Sequence, residues 1–73
     1  MTKLPRISGG NCAKALEKIG FRFIRQKGSH MVYRRDDPYA QVIIPDHKEI
    51  HAGTLRDIIR DAGLSVEEFV DLL

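Results

Sequence analysis

The stretch Arg25-Gln26-Lys27-Gly28-Ser29-His30-Met31-Val32-Tyr33-Arg34-Arg35 concentrates the side chains best suited to chemistry in this 73-residue chain. Histidine, with an unperturbed pKa of about 6.5, can both accept and release a proton near neutrality. Arg25 and Lys27, just before His30, would draw an anion to it. Gly28 would let backbone approach that anion closely, and Ser29 would add a hydroxyl donor. Arg34 and Arg35 alternate on a strand, so one of them at most adds a phosphate contact, and Arg34 is the candidate. The competing reading of His30 is a strand histidine satisfied by a backbone partner. The residue types alone leave the two readings open.

The other histidines, His47 and His51, fall in the polar stretch Asp46–Gly53. On a helix their spacing would place both imidazoles on one face, but Pro45 and the loop-like composition oppose a helix there. No suitable cysteine adds ligands, so neither a metal nor any other cofactor is expected. His47 has two readings, a second acid–base partner reaching over the sheet or a residue that orders its loop, and the ordering role is preferred. His51 is expected in solvent. Tyr33 could stack a base, yet it shares parity with Met31 and suits a core position as well. Cys12 has no partner for an internal disulfide and reads as a small core residue.

Composition bounds what these residues can serve. Apolar residues at 42% and charged residues at 30% are ordinary for one small globular domain, here residues 1–73, which excludes disorder as the default. The longest purely apolar run, Val42-Ile43-Ile44, is far too short to cross a bilayer. Met-Thr-Lys-Leu-Pro-Arg lacks a signal-peptide core, so the cytoplasm is the expected compartment. Charge is unevenly divided. Residues 1–35 carry nine Lys or Arg against Glu17 alone, a balance of +8, and residues 36–73 carry three against nine acids, a balance of −6. A basic half of that strength is a plausible footprint for a phosphate backbone.

The elements that must position the hairpin follow from local signals. Ser8 can cap a helix from Gly9 to about Ile19, with Cys12, Leu16 and Ile19 on one side, Lys14 and Lys18 outside, and Gly20 as the stop. From Phe21 the period becomes two, with Phe21 and Phe23 directed to the core, although Ile24 interrupts the alternation. Gly28-Ser29 supplies a bend, His30–Arg35 a returning strand, Asp36-Asp37-Pro38 a turn, and Tyr39–Ile44 a third strand closed by Pro45. Thr54 with Asp57 reads as a capping box for a helix carrying Leu55, Ile58, Ile59 and Ala62 inward and ending at Gly63. Ser65 and Glu68 form a better box for a short terminal helix that turns Val66, Phe69, Val70 and Leu73 inward. The expected class is α+β, with order α-β-β-β-α plus a short C-terminal helix, the antiparallel sheet covered by helices on one face.

That order is the layout of the double-stranded RNA-binding domain. The blocks Gly20-Phe21, Arg25-Gln26-Lys27-Gly28-Ser29-His30, Ile44-Pro45-Asp46-His47, Gly53-Thr54-Leu55-Arg56-Asp57-Ile58 and Ala62-Gly63-Leu64 together resemble the HicA family of toxin ribonucleases. The resemblance covers nearly the whole chain. It implies an mRNA interferase of a type II toxin–antitoxin pair, neutralised by a HicB-type antitoxin that covers the basic hairpin, with His30 as the catalytic histidine. Gly28, Ser29 and His30 match without substitution. Met31 stands where the family often has a polar residue and would alter the rim of the site.

RNA carries its own nucleophile, the 2′-hydroxyl, so its cleavage needs no metal. A neutral His30 could act as general base toward that hydroxyl, or a protonated one as general acid toward the departing 5′-oxygen. Lys27 and Arg25 would stabilise the charge gained at phosphorus. The rival readings are a non-catalytic RNA-binding module, holding structured RNA by shape and phosphate contacts, and a protein-interaction domain whose basic surface meets an acidic partner.

Overall fold

A computed structural model describes residues 3–73, so the expectations that fall on Met1 and Thr2, at the start of the domain, lie outside the described residues. The element order is α1 (Gly9–Glu17), β1 (Arg22–Lys27), β2 (His30–Asp36), β3 (Tyr39–Pro45), α2 (Ala52–Asp61) and α3 (Val66–Val70). The strands form one antiparallel sheet in the order β1-β2-β3. This is the α+β, double-stranded-RNA-binding-like arrangement expected from the sequence.

Strand alternation divides the sheet into two faces. Met31 and Tyr33 of β2 pair with Ile44 and Val42 of β3, and all four are buried. Against them pack Cys12 and Leu16 of α1, Leu55, Ile58 and Ile59 of α2, and Phe69 of α3. The helices therefore cover one face and leave the other open. Val32 is also buried but lies outside the main cluster, on the open face.

The ends of α1 follow the capping logic. The Ser8 hydroxyl accepts from the Asn11 amide at 3.1 Å. The helix stops at Glu17, two residues before the expected Ile19, because Gly20 (φ +98°) turns the chain and the Phe21 amide closes back on the Leu16 carbonyl at 3.2 Å. Phe21 is thereby buried ahead of β1. Phe23 departs from expectation: it lies on the covered face but at the outer edge, 50% exposed, edge-on to Tyr33 at 5.7 Å. Arg35 caps the same rim, its guanidinium 4.8 Å from the centre of the Phe21 ring and donating to the Pro38 carbonyl.

Two expectations at the C-terminal half are corrected. The helix α2 opens at Ala52 with His51 as its N-cap, and no side chain bonds that cap, so Thr54 and Asp57 form no capping box. Ile50 explains the earlier start: it is buried, and its amide donates to the Ile7 carbonyl at 2.9 Å, fixing where the chain enters the helix. In α3 the Ser65–Glu68 box forms as expected, with both reciprocal bonds present. Those bonds hold the Glu68 carboxyl below its ordinary range, so the box helps above the normal carboxylate range and is lost as pH falls through the lowered value. Because α3 ends at Val70, Leu72 turns toward the core and Leu73 is 52% exposed instead of packed inward.

Close packing of α1 on the end of β3 depends on Gly9. A Cβ there would run into the Pro45 carbonyl, whereas a Cβ at Gly10 meets only the Ser8 hydroxyl at 3.9 Å. Gly9→Ala is expected to destabilise the fold by about 1–3 kcal/mol through overpacking, and Gly10→Ala to leave it unchanged or raise stability by up to about 1 kcal/mol. Urea denaturation of the two variants checks the contrast.

Candidate functional site

The hairpin side chains of the sequence-derived site owe their positions to the pairing of β1 with β2. Phe23 pairs with Tyr33 and Arg25 with Val32, so Ile24 is an extra residue, a β-bulge. The bulge resets alternation. Without it, Arg25 and Lys27 would share the covered face with Phe23; with it, they join Val32 and His30 on the open face, Lys27 directly across from His30. Ile24, where the sequence alternation breaks, is the residue that brings the cations to the histidine's side of the sheet.

The bend that follows is a two-residue hairpin loop with Gly28 at φ +59°, the first central position of a type II′ turn, where glycine is favoured. Its tip is tied down. The Asp46 amide donates to the Ser29 carbonyl at 2.6 Å, and the Gln26 side-chain amide donates to the Gly28 carbonyl at 3.0 Å and to Asp46 Oδ2 at 3.3 Å. One residue on, the His47 carbonyl accepts from the Gly9 amide at 2.9 Å. The segment carrying His47 is thus clamped between the hairpin tip and the start of α1.

His30 sits on the wall between two shallow cavities. One, of about 340 Å³, is lined by Arg25, Lys27, His30, Val32 and Ile43. The other, of about 300 Å³, is lined by His30, Ile43, Pro45, His47, His51 and Thr54. The first is cationic and partly apolar; in the second the three imidazoles are the titratable groups. His47, expected to order a loop or to assist catalysis, shares a cavity with His30. His51 is exposed as expected, yet it lines that same cavity. Thr54 and Ile43 were missed as site residues. Periodicity around Thr54 signalled only a helix start, and Ile43 looked like any residue of an apolar run.

Arg34 lies on the open face but apart from this centre. It donates to Asp36 at 3.1 Å, and Arg22 reaches the same carboxylate at 2.7 Å. These pairs are exposed, and such pairs contribute only about 0–1 kcal/mol, so a phosphate could displace them. Among the described residues neither Arg25 nor Lys27 forms an ion pair, which leaves their charge directed at the cavity beside His30. Met31 is not at the rim: alternation turns it into the core. Tyr33 is likewise a core residue, its hydroxyl pushed up in pKa first by burial and then by the charges of Glu17 and Asp46. Burial raises the Cys12 thiol to about 12, so it is no nucleophile. Among the described residues no three His, Cys, Asp or Glu side chains converge in a metal-binding group, and no helix is long and apolar enough to cross a membrane.

A family model described as the HicA toxin of bacterial toxin-antitoxin matches residues 11–64, a span that includes the bulge, the hairpin, all three histidines and α2. No curated protein matches the chain.

Among the described residues none of the three imidazoles makes a hydrogen bond. His30→Ala and His47→Ala are therefore expected to alter unfolding free energy by less than about 0.5 kcal/mol each, as exposed positions without partners do. A markedly larger loss in urea denaturation would return His30 to a structural role.

Proposed function

The chain belongs to the HicA toxin family of bacterial toxin–antitoxin systems, and from that premise we propose that it is a metal-independent endoribonuclease that cleaves mRNA at His30. The observation that carries this reading is the placement of an exposed imidazole across from Lys27, on the wall shared by a cationic cavity and a second, imidazole-lined one. A phosphodiester held by Arg25 and Lys27 would bring its flanking sugar to His30. Ser29 and the backbone at Gly28 complete the phosphate cradle at the hairpin tip.

The reaction is a transphosphorylation. The neutral His30 imidazole removes the 2′-hydroxyl proton, the 2′-oxygen attacks the adjacent phosphorus, and the 5′-oxygen leaves. Arg25 and Lys27 offset the charge that builds on the phosphoryl oxygens. The leaving oxygen needs a proton, and His47 is the proposed donor because it lines the cavity on the other side of His30. The products are a 2′,3′-cyclic phosphate and a 5′-hydroxyl. DNA, lacking the nucleophile, is not a substrate.

A toxin of this kind needs a partner that keeps it inactive, and a HicB-type antitoxin covering the basic open face would do so by occupying the space the substrate needs. Substrate and partner together place its action in the cytoplasm. The acidic residues of α2 and α3, Asp57, Asp61, Glu67 and Glu68, lie on the helical side of the molecule and leave the open face free for an anionic ligand.

Incubating wild type and His30→Ala with RNA in EDTA, then analysing fragment ends, tests the proposal. Wild type is expected to release cyclic phosphate ends, and the variant to cleave about 10²–10⁴-fold more slowly, the usual range for one acid–base group. Equal cleavage by the variant would overturn the assignment. Binding without cleavage by either protein would support the non-catalytic RNA-binding reading.

A further inference from the structure

The open face of the sheet carries a feature that proton transfer at His30 does not use. On β3, alternation places Tyr39, Gln41, Ile43 and Pro45 on this face, in line toward His30, which pairs with Pro45. Ile43 is 53% exposed and Tyr39 is 68% exposed. Large apolar side chains left in water on the same face as a reactive group mark a surface that another molecule covers. Tyr39 Oη donates to Gln41 Oε1 at 3.5 Å, directing its ring along the strand. Four residues of strand separate Tyr39 from Ile43 by about 13 Å.

Cations flank this row. Arg25 and Lys27 stand beside Ile43 around the same cavity, and Val32 forms that cavity's apolar floor. Farther along, Arg22 and Arg34 hold the far end of the face through Asp36. The pattern is a strip of exposed apolar and aromatic surface bordered by positive charge, which suits unpaired bases on the strip and their phosphates along the border. A duplex keeps its base faces stacked inside and cannot present them to Ile43 or Tyr39.

We infer that the open sheet face binds single-stranded RNA, seating one base against Ile43 and Val32 beside His30 and a second on Tyr39. This deepens the ribonuclease reading and rests on it, since it names unpaired RNA as the substrate of that site. Ile43 and Tyr39 are positioning residues: they touch bases and leave the proton transfers to His30. The charge of the face favours a polyanion over an apolar protein surface as its occupant.

Binding and cleavage can be read separately. A mixed-sequence 12-mer of fully 2′-O-methylated RNA cannot be cut through its 2′-oxygen, so fluorescence anisotropy with it reports binding alone. The single strand is expected to bind at least tenfold more tightly than the same strand annealed to its complement. Ile43→Ser and Tyr39→Ser should each weaken single-strand binding about tenfold, leave duplex binding unchanged and keep the wild-type unfolding midpoint. Equal affinity for strand and duplex would overturn the inference. So would unchanged single-strand binding by both variants, including the case in which they instead lose binding to an antitoxin protein. If the wild type binds as expected yet cuts no unmodified RNA, the face is a single-strand site and the catalytic reading fails alone. If it cuts RNA and neither variant changes binding or KM, the catalytic reading stands and this inference fails.

Discussion

A three-stranded sheet with helices on one side commits every strand residue to the core or to water, and the site exists because the right residues fall on the wet side. His30, Val32 and Arg34 face outward while Met31, Tyr33 and Arg35 face the helices, purely from alternation along β2. The first strand would not match this division unaided, since Arg25 and Lys27 share parity with the covered Phe23. A single extra residue at Ile24 reverses that parity halfway along β1. Cations and imidazole then converge on one side of a sheet whose other side packs against the helices. The proposed site depends on a register defect as much as on side-chain identity.

The second requirement is rigidity at an edge where strands end and chains fray. The hairpin tip, the Asp46–His47 segment and the first turn of α1 are joined by main-chain bonds, from Asp46 to Ser29 and from Gly9 to His47. Buried Pro45 and Ile50 bracket the segment, and Gly9 allows α1 to approach Pro45 without a side chain between them. Histidines drawn from β2, from the following loop and from the N-cap of α2 are thereby held around one cavity although none is anchored through its ring. Such anchoring through backbone leaves the imidazole rings free to meet a ligand.

Much of this was legible in the sequence, and what was not has a common physical origin. Ser8, Gly20, Gly28-Ser29 and the Ser65–Glu68 pair announce their structural roles because capping and tight turns are local, decided within four or five residues. His30 and its cationic neighbours could be named for the same reason. The bulge could only be sensed as a broken alternation at Ile24, since which strand residue is skipped depends on pairing with β2. His51 as the opening of α2 was hidden because histidine is not a favoured cap; the buried Ile50 sets that boundary through a bond to Ile7. Met31 falls in the core because strand alternation, not adjacency to His30, sets its face, and Leu73 stays exposed because α3 ends before the helical spacing reaches it. The convergence of His47 and His51 with His30 is tertiary throughout.

In the proposed reaction the RNA itself supplies the nucleophile and His30 activates it. An RNA bearing a single 2′-deoxy nucleotide immediately 5′ of a mapped cleavage site removes that nucleophile alone. The modified linkage is expected to survive while the same RNA, unmodified, is cut there to a 2′,3′-cyclic phosphate end. Cleavage at the deoxy linkage would show that water or another group attacks the phosphorus, and would rule out the 2′-hydroxyl mechanism at His30.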